Sequence, residues 1–137
     1  MKKPLKIASI TCLLIILAAG FLYAATELQY FTGKNESDSI LLEWKTGQED
    51  NLNHFEIERS ASAPNNYVNI GSLTAIGSNS YYYFRDNTST MNSVPIYYYR
   101  LKIVDNNGNY VYSQTITVAH VISSVRDTWG SIKAIFR

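Results

Sequence analysis

From residue 27 onward, apolar and polar residues alternate in short segments that are separated by Asn, Ser and Gly. In the clearest segment, Ile40, Leu42 and Trp44 alternate with Leu41, Glu43 and Lys45. A period of two residues is typical of strands that bury one face and leave the other in water. The pattern predicts seven strands, at residues 27–32, 39–45, 54–59, 67–73, 81–86, 96–104 and 110–118.

Seven short strands with frequent turn signals are typical of an all-β immunoglobulin-like or fibronectin III-like sandwich. A chain of 137 residues has room for one such domain and a tail. We therefore expect three regions: a leader at 1–24, the sandwich at 25–119 and a tail at 120–137.

The leader has the pattern of a secretory signal peptide. Three lysines precede an uncharged run at 7–25, which ends in the small residues Ala24 and Ala25. The pattern predicts cleavage after Ala24 and a location in the periplasm, at the cell surface or outside the cell. An uncleaved membrane anchor is the alternative, because the run approaches the roughly 20 residues that span a bilayer.

The tail changes from alternation to a helical period. Residues 124–127 match the capping-box pattern, and the spacing of the apolar residues Val125, Trp129, Ile132 and Phe136 predicts that they share one helical face. These four are candidate partner-binding residues on a short amphipathic helix. The helix either docks on its own domain or binds another protein or a second copy, and a membrane surface is a further alternative.

Charge and cysteine content exclude several classes of protein. Without the three leader lysines, the chain has nine Lys and Arg and eleven Asp and Glu, so its formal net charge is −2. Nucleic-acid binding is not expected, because its proteins usually carry a basic patch. The single cysteine, Cys12, lies in the leader, so no disulfide or thiolate site is expected in the domain.

Catalytic and metal motifs do not stand out. Neither His54 nor His120 lies in a close-spaced cluster of His, Asp or Glu ligands, and no nucleophile elbow or phosphate loop occurs. Residues 105–109 resemble the start of a calcium loop, but Asn107-Gly108 between alternating strands favours a hairpin turn. We expect no enzyme activity, no cofactor and no metal site.

Two aromatic runs, at 81–84 and 97–99, are denser than a core requires, because alternation turns half of each outward. Tyr82, Phe84 and Tyr98 are predicted to face outward, where aromatic rings could bind a glycan. Cross-strand packing of the same rings is the alternative interpretation.

Two segments resemble a known family. Residues 44–60, WKTGQEDNLNHFEIERS, resemble the W-x-T-x-x-E-x-N-x-x-x-F-E-I-E-R-S signature of fibronectin type III-like domains in secreted bacterial proteins, notably of Bacteroidetes. Residues 98–113 resemble the Y-Y-R-L-K-x-V-D-x-x-G-x-x-x-Y-S segment of that family. The family's domains usually serve as spacers, often ahead of a C-terminal sorting domain. No Y-P-N-P-like sorting sequence follows Val118, so export by that route is not expected.

The shared residues have structural explanations. We expect Trp44 at the centre of the core, Tyr97 or Tyr99 in a tyrosine corner, and Glu49 and Asn51 capping a loop between strands. The sequence thus predicts a secreted, non-enzymatic module for protein interaction or structure at the cell surface. A carbohydrate-binding module, or a filament subunit joined through the tail or an edge strand, is the alternative.

Overall fold

In the computed structural model of the chain, the described residues are 26–36, 38–87 and 96–120. The predicted leader, and the predicted tail apart from its first residue, His120, lie outside them. The described residues form eight strands: β1 (Leu28–Glu36), β2 (Ser39–Thr46), β3 (Leu52–Ala61), β4 (Val68–Thr74), β5 (Tyr81–Asp86), β6 (Ile96–Asp105), β7 (Tyr110–Tyr112) and β8 (Ile116–Ala119). No helix long and apolar enough to cross a membrane occurs within this part of the chain.

The strands form two antiparallel sheets, as predicted for a sandwich. The three-stranded sheet has the order β1-β2-β5, and the larger sheet has the order β4-β3-β6-β7, with β8 also pairing with β6. The alternation along each strand turns one face of each sheet toward the other, so the core lies between them.

The seventh predicted strand is present in two pieces, because Ser113 interrupts it. The Ser113 amide donates to the Leu101 carbonyl, and the Ser113 hydroxyl accepts from the Leu101 amide, at 2.8 Å each. A side chain therefore replaces one backbone partner, and the chain leaves the ladder before β8 begins. β7 pairs with the second half of β6 and β8 with the first half.

Trp44 is the centre of the core, as predicted, and is fully buried. Its ring stacks on Tyr82, with centroids 5.5 Å apart and planes 6° from parallel. Phe31 and Phe55 meet the same ring edge-on, at 6.2 and 5.4 Å. These offset and edge-to-face contacts are the arrangements that aromatic quadrupoles favour.

A buried ion pair joins the two sheets at the end where β5 finishes. Arg59 Nη1 on β3 donates to both carboxylate oxygens of Asp86 on β5, at 2.8 and 2.7 Å. The Tyr99 hydroxyl donates to Asp86 Oδ2 at 2.8 Å. Tyr99 thus bonds back to a residue upstream, as expected of a tyrosine corner, but it bonds to a carboxylate instead of the backbone.

The buried tyrosines make the fold sensitive to alkali. Burial raises the pKa of Tyr82 to about 12, and burial, together with the Asp86 charge, raises the pKa of Tyr99. An unfolded tyrosine ionises near pH 10, so their contribution to stability is complete below that pH and is lost as pH rises through the folded pKa values.

We therefore expect the urea midpoint to stay constant up to about pH 10 and to fall between about pH 10 and pH 12. Urea titrations across this range measure it. Tyr82→Phe is the control and should show a weaker alkaline loss. A midpoint that is unchanged at about pH 12 would contradict the burial of these hydroxyls.

Candidate functional site

The hairpin between β6 and β7 is a structural turn, as predicted. The amides of Asn107 and Asn109 donate to Asp105 Oδ1, at 2.8 and 2.9 Å, and Gly108 has a φ of +84°. The Asp105 carboxylate thus caps the turn instead of facing an open ligand position. Within the described ranges, no group of three or more His, Cys, Asp or Glu side chains could hold a metal ion.

Glu49 is also structural, which confirms its predicted capping role. Its Oε1 accepts from the hydroxyls of Thr46 and Tyr82, at 2.6 and 2.7 Å, and its Oε2 accepts from the Gly77 amide at 3.0 Å. The carboxylate therefore joins the β2–β3 loop to the β4–β5 loop. Asn51 adopts a φ of +58° and accepts from Asn106, so it also supports a loop.

The predicted outward orientation of Tyr82 and Phe84 is wrong. Tyr82 is 4% exposed, and Phe84 packs against the core, so close to Gly71 that a Cβ there would collide with the Phe84 ring. Asp86 must point inward to reach Arg59, and alternation then places residues 82 and 84 on the same inner face.

The three predicted glycan-binding residues do not share a surface. Tyr98 does face outward, but it lies half-buried on the larger sheet, opposite the sheet that carries Tyr82 and Phe84. The predicted partner-binding residues Val125, Trp129, Ile132 and Phe136 lie outside the described residues, so their role stays a prediction.

The open aromatic rings lie on the outer face of the three-stranded sheet. Tyr30 on β1 and Tyr81 and Tyr83 on β5 are 39%, 49% and 64% exposed. Tyr30 pairs across the strands with Lys45, and Lys45 pairs with Tyr81. We call the surface formed by Tyr30, Lys45, Tyr81 and Tyr83 the tyrosine face. The charged Arg85 shares its alternation with Tyr81 and Tyr83, but the equally charged Asp86 shares that of Tyr82 and Phe84, so the sequence alone does not identify this face.

Polar groups are placed among these rings. The Tyr81 hydroxyl donates to Glu43 Oε1 on β2, and this hydrogen bond to a carboxylate raises the pKa of Tyr81 to about 12. Tyr81 therefore keeps its proton at any physiological pH. Thr32 and Glu43 lie in the row of Tyr83, so hydroxyl and carboxylate oxygens accompany the rings.

A recess borders the tyrosine face on each side, because the sandwich is open at both of its edges. Between β4 and β5, a pocket of about 450 Å³ includes Ile76, Tyr81 and Tyr83 in its lining. Between β1 and β7, a cleft of about 560 Å³ includes Tyr30 and Val111. A ligand on the tyrosine face could therefore extend into a pocket at either edge.

The outer face of the larger sheet also carries exposed tyrosines, Tyr110 and Tyr112, but a cation packs against the ring of each. The Arg100 guanidinium carbon lies 3.9 Å from the ring centre of Tyr67 and 3.8 Å from that of Tyr112. Lys102 Nζ lies 4.7 Å from the ring centre of Tyr110.

The two cations are in turn paired with carboxylates of β3. Arg100 Nε donates to Glu58 and Lys102 Nζ to Glu56, at 2.7 and 2.9 Å. The hydrogen bond from Lys102 lowers the pKa of Glu56, and the same contact raises the pKa of Lys102. The cations of this face thus already contact its carboxylates and its tyrosine rings. By contrast, among the described residues no cation or second ring packs against Tyr30, Tyr81 or Tyr83.

Comparison with known proteins yields structural neighbours only. No protein-family model matches the chain, and no curated protein does. The structure is similar to part of pectate lyase PelI from Erwinia chrysanthemi in complex with tetragalacturonic acid, with 27% identity and a TM-score of 0.51, over 69% of this chain and 28% of that one. It is also similar to part of OgpA from Akkermansia muciniphila, with 10% identity and a TM-score of 0.57, over 69% and 28%.

Pectate lyase Pel3 from Pectobacterium carotovorum is a third neighbour, with 21% identity, a TM-score of 0.52 and coverage of 66% and 26%. The chain thus spans little more than a quarter of each neighbour's length. The likeness establishes the β-sandwich, and it lies within enzymes whose names refer to pectate or, for an inactive OgpA structure, to an O-glycopeptide substrate.

Proposed function

We propose that this chain is an exported, non-enzymatic accessory module with a fibronectin III-like sandwich, and that it binds a glycan through the tyrosine face. The main observation in support is that three exposed rings, those of Tyr30, Tyr81 and Tyr83, lie on one sheet face. Sugar rings have one apolar face and a polar rim, and tyrosine offers a large flat area together with a polar tip.

The neighbours support the accessory part of this proposal. A domain that matches about 28% of pectate lyase PelI is too small to stand for the whole enzyme. A module attached to an enzyme that acts on polysaccharide is well placed to hold the substrate nearby, because linking two binding units raises the effective concentration of one for the other.

The carboxylate on the tyrosine face supports a role in binding instead of catalysis. Glu43, the carboxylate among the rings, already accepts from the Tyr81 hydroxyl. Glycoside hydrolysis usually needs two carboxyl groups flanking the bond, and Glu43 alone does not form such a pair. The export part of the proposal rests on the signal-peptide pattern of residues 1–24.

A double variant tests the proposal: Tyr81→Ala with Tyr83→Ala. We expect its affinity for a bound polysaccharide to fall roughly three- to tenfold per ring, because each ring supplies a stacking contact. The free energy of unfolding should change little, since both side chains are exposed. Affinity electrophoresis against a polysaccharide panel, followed by calorimetry on the best ligand, measures this.

The control is Tyr110→Ala with Tyr112→Ala, which removes two exposed rings from the opposite sheet. This variant should bind as the parent protein does. If no polysaccharide binds, or if both double variants lose affinity equally, the tyrosine face is not a glycan site.

Protein interaction is the second candidate function, and exposed apolar residues at the sheet edges favour it. Val68 on β4 and Val111 on β7 are about half exposed, and Ile76 is more exposed still. Edge strands also present unpaired backbone groups to other chains. A parent protein that binds no polysaccharide would favour this function.

A further inference from the structure

The distribution of charge separates the tyrosine face from the rest of the domain. The described residues carry ten Asp and Glu against six Lys and Arg, so the domain as a whole is acidic. Four of the six cations are in ion pairs with carboxylates: Arg59, Arg85, Arg100 and Lys102. Lys34 and Lys45 pair with no carboxylate of the described residues.

Both of these lysines lie on the outer face of the three-stranded sheet. Lys45 occupies the middle of the row from Tyr30 to Tyr81, one strand away from each. Side chains in directly opposite positions have their Cβ atoms about 5 Å apart. The ammonium group of Lys45 is therefore within reach of a ligand that stacks on either ring.

Lys34 lies on β1, four residues beyond Tyr30, opposite Leu41. At about 3.4 Å per residue along a strand, it is roughly 14 Å from the row of Lys45. Two free cations thus stand at the two ends of the same open surface. Ligand carboxylates spaced along a chain could meet both at once.

From this placement we infer that the glycan is anionic, with acidic groups that bind Lys45 and Lys34 while its sugar rings stack on the tyrosines. The inference rests on the proposed function, since it specifies the ligand of the same face. The expected chemistry is a polysaccharide of repeating acidic sugars, because a single terminal charge could engage only one of the two lysines.

The remaining charges on this face do not oppose an anion strongly. Glu43 accepts from the Tyr81 hydroxyl, and Glu36 pairs with Arg85 at 2.5 Å. Glu43 keeps its negative charge, but Lys34, Lys45 and Arg85 against Glu36 and Glu43 give this face a formal net charge of +1. Because Lys34 is exposed and Lys45 is half-buried at the surface, their attraction for an anion should weaken as salt is added.

Polygalacturonate and its fully methyl-esterified form are the matched probes, since they share a backbone and differ in charge. We expect the full-length chain to bind the acidic form at least about tenfold more tightly at low salt, and to lose that preference at high ionic strength. Chondroitin sulfate forms a third arm and tests whether sulfate groups serve as well as carboxylates.

The deciding variant is Lys34→Gln with Lys45→Gln, which keeps all three rings. Each lysine should contribute up to about fivefold, the upper range of an exposed ion pair. The double variant should therefore bind the acidic and esterified forms alike. Lys102→Gln on the opposite sheet is the control and should retain the parent's preference.

The outcomes separate this inference from the proposed function. Equal binding of the acidic and esterified forms by the parent protein would overturn the anionic ligand and leave the glycan site in place. A preference that survives in the double lysine variant would also overturn it. Failure to bind any polysaccharide would overturn both the anionic ligand and the glycan site. A preference for an acidic polysaccharide that is lost in the double lysine variant would support both.

Discussion

Asp86→Ala should lower the free energy of unfolding by about 3–5 kcal/mol, since breaking one partner of a buried ion pair leaves the other charge unpaired. Arg59 would keep its guanidinium between the sheets without its carboxylate, and the Tyr99 hydroxyl would lose its acceptor. Urea denaturation followed by tryptophan fluorescence measures the loss.

The matched control replaces both partners, with Arg59→Met and Asp86→Leu together. Replacing a buried pair by apolar residues of similar volume is often neutral or stabilising, so this variant should be clearly more stable than Asp86→Ala. If Asp86→Ala is too unstable to purify, Asp86→Asn keeps an acceptor and should give a smaller, measurable loss. A loss below about 1 kcal/mol in Asp86→Ala would mean that the pair is hydrated.

Trp44→Ala is expected to cost about 3–5 kcal/mol, because it leaves a large cavity between the two sheets. Three neighbouring rings, those of Phe31, Phe55 and Tyr82, would lose their common contact. Thermal and urea unfolding of the parent and the variant give the difference.

Two further variants interpret this result. Trp44→Phe should cost less, because it keeps one ring and removes an indole N–H that finds no acceptor among the described residues. Tyr83→Ala removes an exposed ring from the strand that carries Tyr82 and should change stability by less than about 0.5 kcal/mol. Equal losses in Trp44→Ala and Tyr83→Ala would be incompatible with this core.

The sandwich could be predicted from sequence because its signals are local. The alternation around Trp44 identifies β2 and its buried face, and Asn107-Gly108 marks the turn before β7. The division between β7 and β8 could not be predicted, because it depends on two hydrogen bonds between Ser113 and Leu101, which are distant in sequence.

The candidate site was harder to predict than the fold, since it depends on the phase of one strand. In the run Tyr81 to Phe84 every residue is aromatic, so hydrophobicity alone does not distinguish the two faces. Asp86 points inward to Arg59, and this contact determines which residues of β5 face the core. A buried carboxylate is uncommon and needs a partner, which here comes from the other sheet. No local sequence pattern indicates that partner.

The pairing of β3 with β6 has a consequence for the order of folding. Leu52 pairs with Asp105 and Ala61 with Tyr97, so these partners are 53 and 36 residues apart, and β2 pairs with β5 at a similar separation. Closing such long loops costs entropy before the stabilising contacts between the strands can form. Folding is therefore expected to take milliseconds to seconds. The β1–β2, β3–β4 and β6–β7 hairpins are local and can form early, whereas the larger sheet cannot assemble until nearly the whole domain has been synthesised.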